Sequence, residues 1–242
     1  MAEGLKRSRQ ENDMLHSPIV LEVLKRLGPD RRVLDIGAGV GRFTVPLAEA
    51  GCRVTALEPS SAMRGHLAEA LREQHLVDAV TVIPDRWPYK MAKPVEIALA
   101  AYVVHFAEDP LQFIRAMNES ATERCVMAVH VDSMIGPLEE LWPLFRPDQE
   151  VPHMLVFSDL YPLLLDAGIV ANVEVFEQSR PRFSDRATTT AMFARRLALH
   201  DDPPAVLRLE AWVNQEWDRI TGHRTRSAII SWHPVSASWG GD

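Results

Sequence analysis

The sequence predicts an α/β fold: one Rossmann-like, doubly wound sheet of seven strands, mostly parallel with an antiparallel last strand, plus helical insertions. Three observations predict it. The apolar run Val33, Leu34 and Ile36 ends in small residues and passes directly into the glycine turn Gly37-Ala38-Gly39-Val40-Gly41. Beyond that turn, Phe43, Leu47 and Ala50 fall on one helical face, so the local order is strand, turn, helix. Strand-like and helix-like stretches then alternate to about residue 132, which is the order of parallel βαβ units with right-handed crossovers. At 242 residues and 47% hydrophobic content, the chain can bury a full core as one domain with insertions or as a domain with a small cap. We expect a single domain over 1–242, with an N-terminal helical segment (1–28) and a helical insertion (177–226) between the last two strands.

The elements follow in order. Residues 1–13 are polar, and a first helix is expected from Ser17-Pro18, an N-cap followed by a first-turn proline, through Ile19, Val23, Leu24 and Leu27, stopped by Gly28-Pro29. Gly51 ends the helix after the glycine turn, and Arg53–Pro59 reads as a second strand with Glu58 at its tip. Ser60-Ser61 caps a helix carrying Met63, Leu67, Ala70 and Leu71, and Val80–Ile83 is a short third strand with Asp85-Arg86-Trp87 beyond it. Val95–Ala101 forms a fourth strand leading to Tyr102 and His105, Pro110–Asn118 a helix, and Arg124–Val131 a fifth strand closing on His130 and Asp132. Between Ser133 and Pro152 stand Trp142, Phe145 and several prolines; a helix at about Ser158–Gly168 and a strand at Asn172–Phe176 follow. Two helices, near Ala187–Leu199 and Ala205–Ile220, precede the last strand Ser227–Trp232. A connection that long with structure of its own is a functional or interface element more often than a plain loop.

The spacing of the glycines narrows the ligand. A dinucleotide site wants Gly-x-Gly-x-x-Gly, whereas the third glycine here comes one residue early at Gly41, and Arg42 stands where that glycine would be. Asp35, two residues before the first glycine, would repel a pyrophosphate and suits a cation. Glu58 lies 23 positions beyond Asp35, close to the roughly 20-residue separation at which a strand-end carboxylate meets ribose hydroxyls in doubly wound nucleotide folds. Asp-x-Gly-x-Gly-x-Gly after a strand, with Glu58 at the next strand tip, Asp85 after the third and His105 before the Asp109-Pro110 turn, resembles the class I S-adenosylmethionine (SAM)-dependent methyltransferases over residues 17 to 132.

That resemblance implies SAM as cofactor and S-adenosylhomocysteine as product. It implies a cofactor site of Asp35, Gly37, Ala38, Gly39, Gly41, Glu58, Pro59, Met63, Asp85, Arg86, Trp87, Ala100 and Ala101, with Asp85 accepting from the adenine amino group and Trp87 covering a ring face. Methyl transfer needs a nucleophile held in line with the carbon–sulfur bond, and a base only where the acceptor keeps its proton. His105, just past the fourth strand, is the candidate base. Tyr102, His130, Asp132, Trp142 and Phe145 are candidate acceptor contacts, with the N-terminal segment, 133–152 and the insertion as candidate roof.

Composition bounds the partners. The net charge of −7 argues against a phosphate-gripping surface, so a small-molecule acceptor is expected and a nucleic acid is not. No Asn-Pro-Pro-Tyr or Asp-Pro-Pro-Tyr segment follows the fourth strand, which disfavours DNA amino groups. Cys52 and Cys125 lie without metal spacing and read as reduced core thiols of a cytoplasmic protein; no metal is expected. No signal peptide or run near the ~18 apolar residues of a spanning helix is present, so no membrane partner is expected. The chain leaves a homodimer open, and Arg180, Arg182, Arg186, Arg195 and Arg196 in the insertion read as a solvated face, an anion contact or a partner surface. Two other readings stay open: SAM or nucleotide binding without methyl transfer, and methylation of a macromolecule. A nicotinamide oxidoreductase is disfavoured by Asp35 and Arg42.

Overall fold

The computed structural model describes residues 14–133, 136–177, 183, 185–222 and 225–235. Its strands are β1 (Arg32–Ile36), β2 (Arg53–Leu57), β3 (Val80–Ile83), β4 (Val95–Ala101), β5 (Ala121–His130), β6 (Asn172–Glu177) and β7 (Arg226–Trp232). The helices are α1 (Pro18–Leu24), α2 (Thr44–Glu49), α3 (Ser61–Glu73), α4 (Pro110–Ser120), α5 (Leu138–Phe145), α6 (Phe157–Asp166), α7 (Arg186–Arg196), α8 (Pro203–Gln215) and α9 (Trp217–Gly222).

All seven strands join one sheet in the order β3-β2-β1-β4-β5-β7-β6. β1 lies at its centre, parallel to β2 and β4 in the registers Asp35 to Ala56 and Asp35 to Leu99, while β3 and β5 extend the parallel set outward. Val131, just past β5, donates to the carbonyl of Arg226 at the start of β7, so the end of β5 lies beside the beginning of β7 and the two run antiparallel. Val33, Leu34 and Ile36 on β1 and Ile97, Ala98, Leu99 and Ala100 on β4 are fully buried, as expected of central strands covered on both faces by helices. The Glu96 carboxylate accepts from the backbone N–H groups of Asp30 and Arg32, fixing where β1 begins.

The chain forms two compact units. The first holds the described residues up to Val129, Ser158–Glu174 and those from Ala228 onward; the second holds His130–Phe157 and Val175–Ser227. The second unit has its own core of Leu138, Leu141, Phe183, Phe193, Leu197, Leu199, Ala205, Leu209, Val213 and Ile220. The helical insertion therefore shares a core with the segment after β5.

Three elements differ from the sequence reading. Helix α5 forms between Ser133 and Pro152, where Pro137 and Pro143 read as breakers; Leu138 and Leu141 are nonetheless buried, so packing outweighs the missing proline donor. The expected helix Ala205–Ile220 is two helices, parted at Glu216. Strand β5 begins three residues earlier than Arg124, because the exposed Thr122 and Glu123 hide its start from a burial pattern.

Candidate functional site

A parallel sheet presents its ligand site at the carboxyl ends of its strands, and the glycine turn stands at the carboxyl end of central β1. Gly37, Gly39 and Gly41 all have positive φ (73°, 58° and 93°), a region that side-chain-bearing residues rarely enter. Their surroundings separate their roles. A Cβ at Gly37 would lie 2.5 Å from a Val103 methyl, and one at Gly41 2.6 Å from a Leu67 methyl, so those two glycines permit close packing of the turn on the loop after β4 and on α3. Among the described residues, a Cβ at Gly39 would meet nothing within 4 Å. Gly39 is the position where the backbone faces open space.

Glu58 fixes that turn. Its carboxylate is almost wholly buried and accepts from the N–H of Gly39 at 2.9 Å and the N–H of Ser60 at 2.8 Å. The turn also hangs from the end of β2, since Gly37 and Ala38 both donate to the Leu57 carbonyl. Asp35 faces the start of α2: the Thr44 hydroxyl donates to it at 2.6 Å, a length typical of a charge-assisted bond. Burial pushes the Asp35 carboxyl up to about 6, opposed by the Thr44 hydrogen bonds and reinforced by the nearby Glu58 charge.

A cavity of about 350 Å³ lies in front of the turn, lined among others by Gly37, Leu57, Pro59, Asp85, Arg86, Trp87, Val103, Phe106 and Phe113. Its volume falls at the lower end of the roughly 300–1,000 Å³ range of small-molecule sites. Asp85, Glu108 and Asp109 on its wall make its polar groups mostly acceptors. Trp87 lines it with its indole anchored: Nε1 donates to the Phe113 carbonyl at 3.2 Å, and the ring meets Phe113 edge-on with centroids 5.9 Å apart.

The remaining residues named from sequence are placed as follows. Ala38 packs beneath the turn with Ala56, Leu67 and Leu71, and Ala100 is fully buried in β4. Met63 is exposed in the first turn of α3, where its N–H donates to the Ser60 hydroxyl. Neither these nor Ala101 lines the cavity. His105 lies on the short 3-10 turn Val104–Phe106, its ring 4.1 Å from that of Phe106, and burial holds its imidazole below the ordinary histidine range. In the second unit, Asp132 takes the Arg226 guanidinium at 2.6 Å and the Arg226 N–H at 2.7 Å, so its carboxylate ties the end of β5 to the start of β7. His130 closes β5. Trp142 and Phe145 pack on the core of the second unit, with the Arg208 guanidinium 5.7 Å from the Phe145 ring centre. Arg186 lies over Trp217 at 5.0 Å, and Arg195 and Arg196 occupy the last turn of α7. Residues 1–13, Arg180 and Arg182 lie outside the described residues. Among the described residues no group of histidine, cysteine and acidic side chains is placed to hold a metal ion, and no helix is long and apolar enough to cross a membrane.

The sequence reading does not include Phe106, Glu108, Asp109, Gln112 and Phe113, which all line the cavity. They come from the loop after β4 and the first turn of α4. The Asp109-Pro110 helix start was a signal for the wall they form.

These features define a class. The family model of a methyltransferase domain matches residues 8–172, and the chain belongs to that family, the class I SAM-dependent methyltransferases, whose cofactor is SAM. Among curated proteins the chain is similar to a 23S rRNA (uracil(1939)-C(5))-methyltransferase, RlmD, of Burkholderia pseudomallei, 29% identical over 116 residues, which are 47% of this chain and 25% of the relative. The chain thus spans about a quarter of the length of the curated relatives it matches. Among solved structures, magnesium protoporphyrin IX methyltransferase from Synechocystis PCC 6803 with bound S-adenosylhomocysteine matches at TM-score 0.56 and 18% identity, over 71% of this chain and 78% of that one. The (4+2)-cyclase SpnF matches at TM-score 0.55 and 19% identity, over 88% and 80%. These two share the fold.

The residues present suit SAM. Gly39 leaves open the space that a side chain would take, Glu58 offers an anionic acceptor beside it, and the acid-rimmed cavity favours a ligand rich in donors and positive charge over a pyrophosphate.

Proposed function

We propose that this protein transfers the methyl group of SAM to a small-molecule acceptor. The observation that supports it most is the open face of Gly39 with the Glu58 carboxylate fixed beside it at 2.9 Å. When bound, SAM supplies a methyl group made electrophilic by its sulfonium.

The protein's own contribution is to bind, orient and exclude water. Glu58 accepts from ribose hydroxyls; Asp85 and Trp87 hold the adenine; the glycine turn lets the ligand approach the backbone. Positioning of this kind supplies up to roughly 7–11 kcal/mol in well-oriented reactions. Where the acceptor keeps a proton, the His105 imidazole takes it, since burial keeps that ring neutral at pH 7. The net charge of −7 supports a small acceptor over a polynucleotide.

A second reading, methylation of RNA, is favoured by the similarity to RlmD over about half of this chain. Incubation with methyl-labelled SAM and either total RNA or the fraction of cell extract below about 1 kDa separates the two. Label in the small-molecule fraction is expected. Label in RNA alone would replace the proposal, and tight SAM binding with no label in either would favour a binding protein or different SAM chemistry.

A further inference from the structure

We propose that β6, at the edge of the sheet, is the surface through which two copies of this chain pair, antiparallel and about a two-fold axis at Val173. The pairing neither rests on the methyl-transfer reading nor alters it.

The sheet has two edges among the described residues, β3 and β6. An edge strand offers a row of unpaired backbone N–H and C=O groups to any chain that can lie beside it. The two edges are built differently. β3 has four residues, three of them half-buried, and Pro84 follows it directly; a short strand ended by proline is a poor template. β6 has six residues, Asn172-Val173-Glu174-Val175-Phe176-Glu177, with neither proline nor lysine, and all but Phe176 are exposed.

Apolar side chains gather at the same edge. Leu165 near the end of α6, Val170 just before β6, and Val173 and Val175 within it are exposed, and among the described residues no other stretch of that length exposes as many large apolar groups. Apolar surface collected on an unpaired strand marks a protein contact. The approach to the strand is firmly held: Ile169 and Ala171 are buried, and the Tyr161 hydroxyl donates to the Ala171 carbonyl at 3.0 Å.

The charges on β6 select both the occupant and the register. A second copy supplies the same strand, and a two-fold axis perpendicular to the sheet sets it antiparallel while each face stays on its own side. Side chains directly opposite then share a face, so the axis falls on a residue. On Glu174 it would set that carboxylate against itself, and on Val175 it would set Val173 against Glu177. On Val173 it sets that valine against its own counterpart and, twice by symmetry, Asn172 against Glu174. A valine pair and two amides donating to carboxylates take the place of any like-charge contact, and the exposed Val170 comes under the same cover. Pairing β6 with itself closes at two copies, whereas β6 on the β3 edge of another copy would leave free edges and grow without limit.

Sedimentation of the full chain over a range of concentrations tests the pairing. The mass is expected to rise from one chain to two. Val173→Lys sets two ammonium groups opposite each other and should weaken association by about tenfold or more. Val170→Lys, at a side chain 83% exposed on which the fold of the single chain does not rest, should weaken it too, and decides the case if the first variant misfolds. Opposite residues of an antiparallel pair have Cα atoms about 4.5–5.5 Å apart, within disulfide reach. Val173→Cys under mild oxidation should therefore link the two copies, while the buried Cys52 and Cys125 leave wild type unlinked. Dimers that survive the lysine variants, dimers of Val173→Cys that do not cross-link, or growth beyond two copies overturn the proposal. A wild type that stays a single chain at every concentration overturns it as well, and leaves the edge to a strand from another protein.

Discussion

Asp35→Asn tests how the buried acid beneath the glycine turn is held. The side chain keeps its size, and its amide oxygen can still accept the Thr44 hydroxyl seen at 2.6 Å, so what changes is the charge. In the folded protein burial raises the Asp35 carboxyl from 3.8 to about 6. The folded state therefore holds its proton more tightly than the unfolded chain. Stability from this group is fully present below about pH 4 and is lost as pH rises through about 6. At about 1.4 kcal/mol per pH unit, the two-unit separation corresponds to about 3 kcal/mol. A chain of this size shifts its melting temperature by roughly 2–4 °C per kcal/mol. Between pH 4 and pH 7.5 the wild type should thus lose about 6–12 °C relative to Asp35→Asn, whatever other groups titrate in both proteins. Fluorescence melts of the two proteins across that range measure the difference directly. Parallel curves, with an offset independent of pH, would refute the reasoning and mean that the Thr44 hydrogen bonds offset the burial.

The other predictions concern the turn and the base. Glu58→Gln presents an amide N–H₂ to one of two backbone donors, Gly39 or Ser60, and removes the anion offered to the ribose; calorimetry should show S-adenosylhomocysteine weakened by about 1–3 kcal/mol, and unchanged affinity would remove Glu58 from the site. Gly39→Ala should cost the fold only the roughly 1–2 kcal/mol of a left-handed alanine yet abolish tight S-adenosylhomocysteine binding, whereas Gly37→Ala, whose Cβ would lie 2.5 Å from Val103, should lower the melting temperature more; the reverse ranking would sink the division of roles among the glycines. If His105 is the base, the acidic limb of kcat should fall below pH 6.5, because burial lowers its titration, and His105→Ala should reduce kcat by roughly 10²–10⁴-fold; a loss confined to stability, with kcat intact, would make it a packing residue.

What was legible in the sequence depended on period and punctuation. The five parallel strands read well because central strands are continuous apolar runs ended by glycine or an acid, and the six residues from Val33 to Ala38 carry that signal in one stretch. Helix α5 was not legible, since Pro137 at its N-cap and Pro143 inside it speak louder in sequence than the buried Leu138 and Leu141. The wall of the cavity after β4 was not read for another reason: Phe106, Glu108 and Gln112 carry no periodic or spacing signal of their own, and only the Asp109-Pro110 helix start marks where the chain turns between β4 and α4.

The glycine motif shows how far spacing alone can go. Three glycines at alternate positions predict a tight turn after a strand, and all three do adopt positive φ. Spacing treats them as equals. Packing does not: Gly37 and Gly41 are small because Val103 and Leu67 press against them, whereas Gly39 has no such neighbour among the described residues. A residue that must lack a side chain for no internal reason points outward, to something that must come close. Glu58 strengthens the inference, because a buried carboxylate held by the Gly39 and Ser60 N–H groups retains lone pairs for further donors. The ligand these two positions jointly require offers hydroxyl donors to Glu58 and comes close to the backbone at Gly39, and loss of S-adenosylhomocysteine affinity in both Glu58→Gln and Gly39→Ala decides whether one molecule meets both.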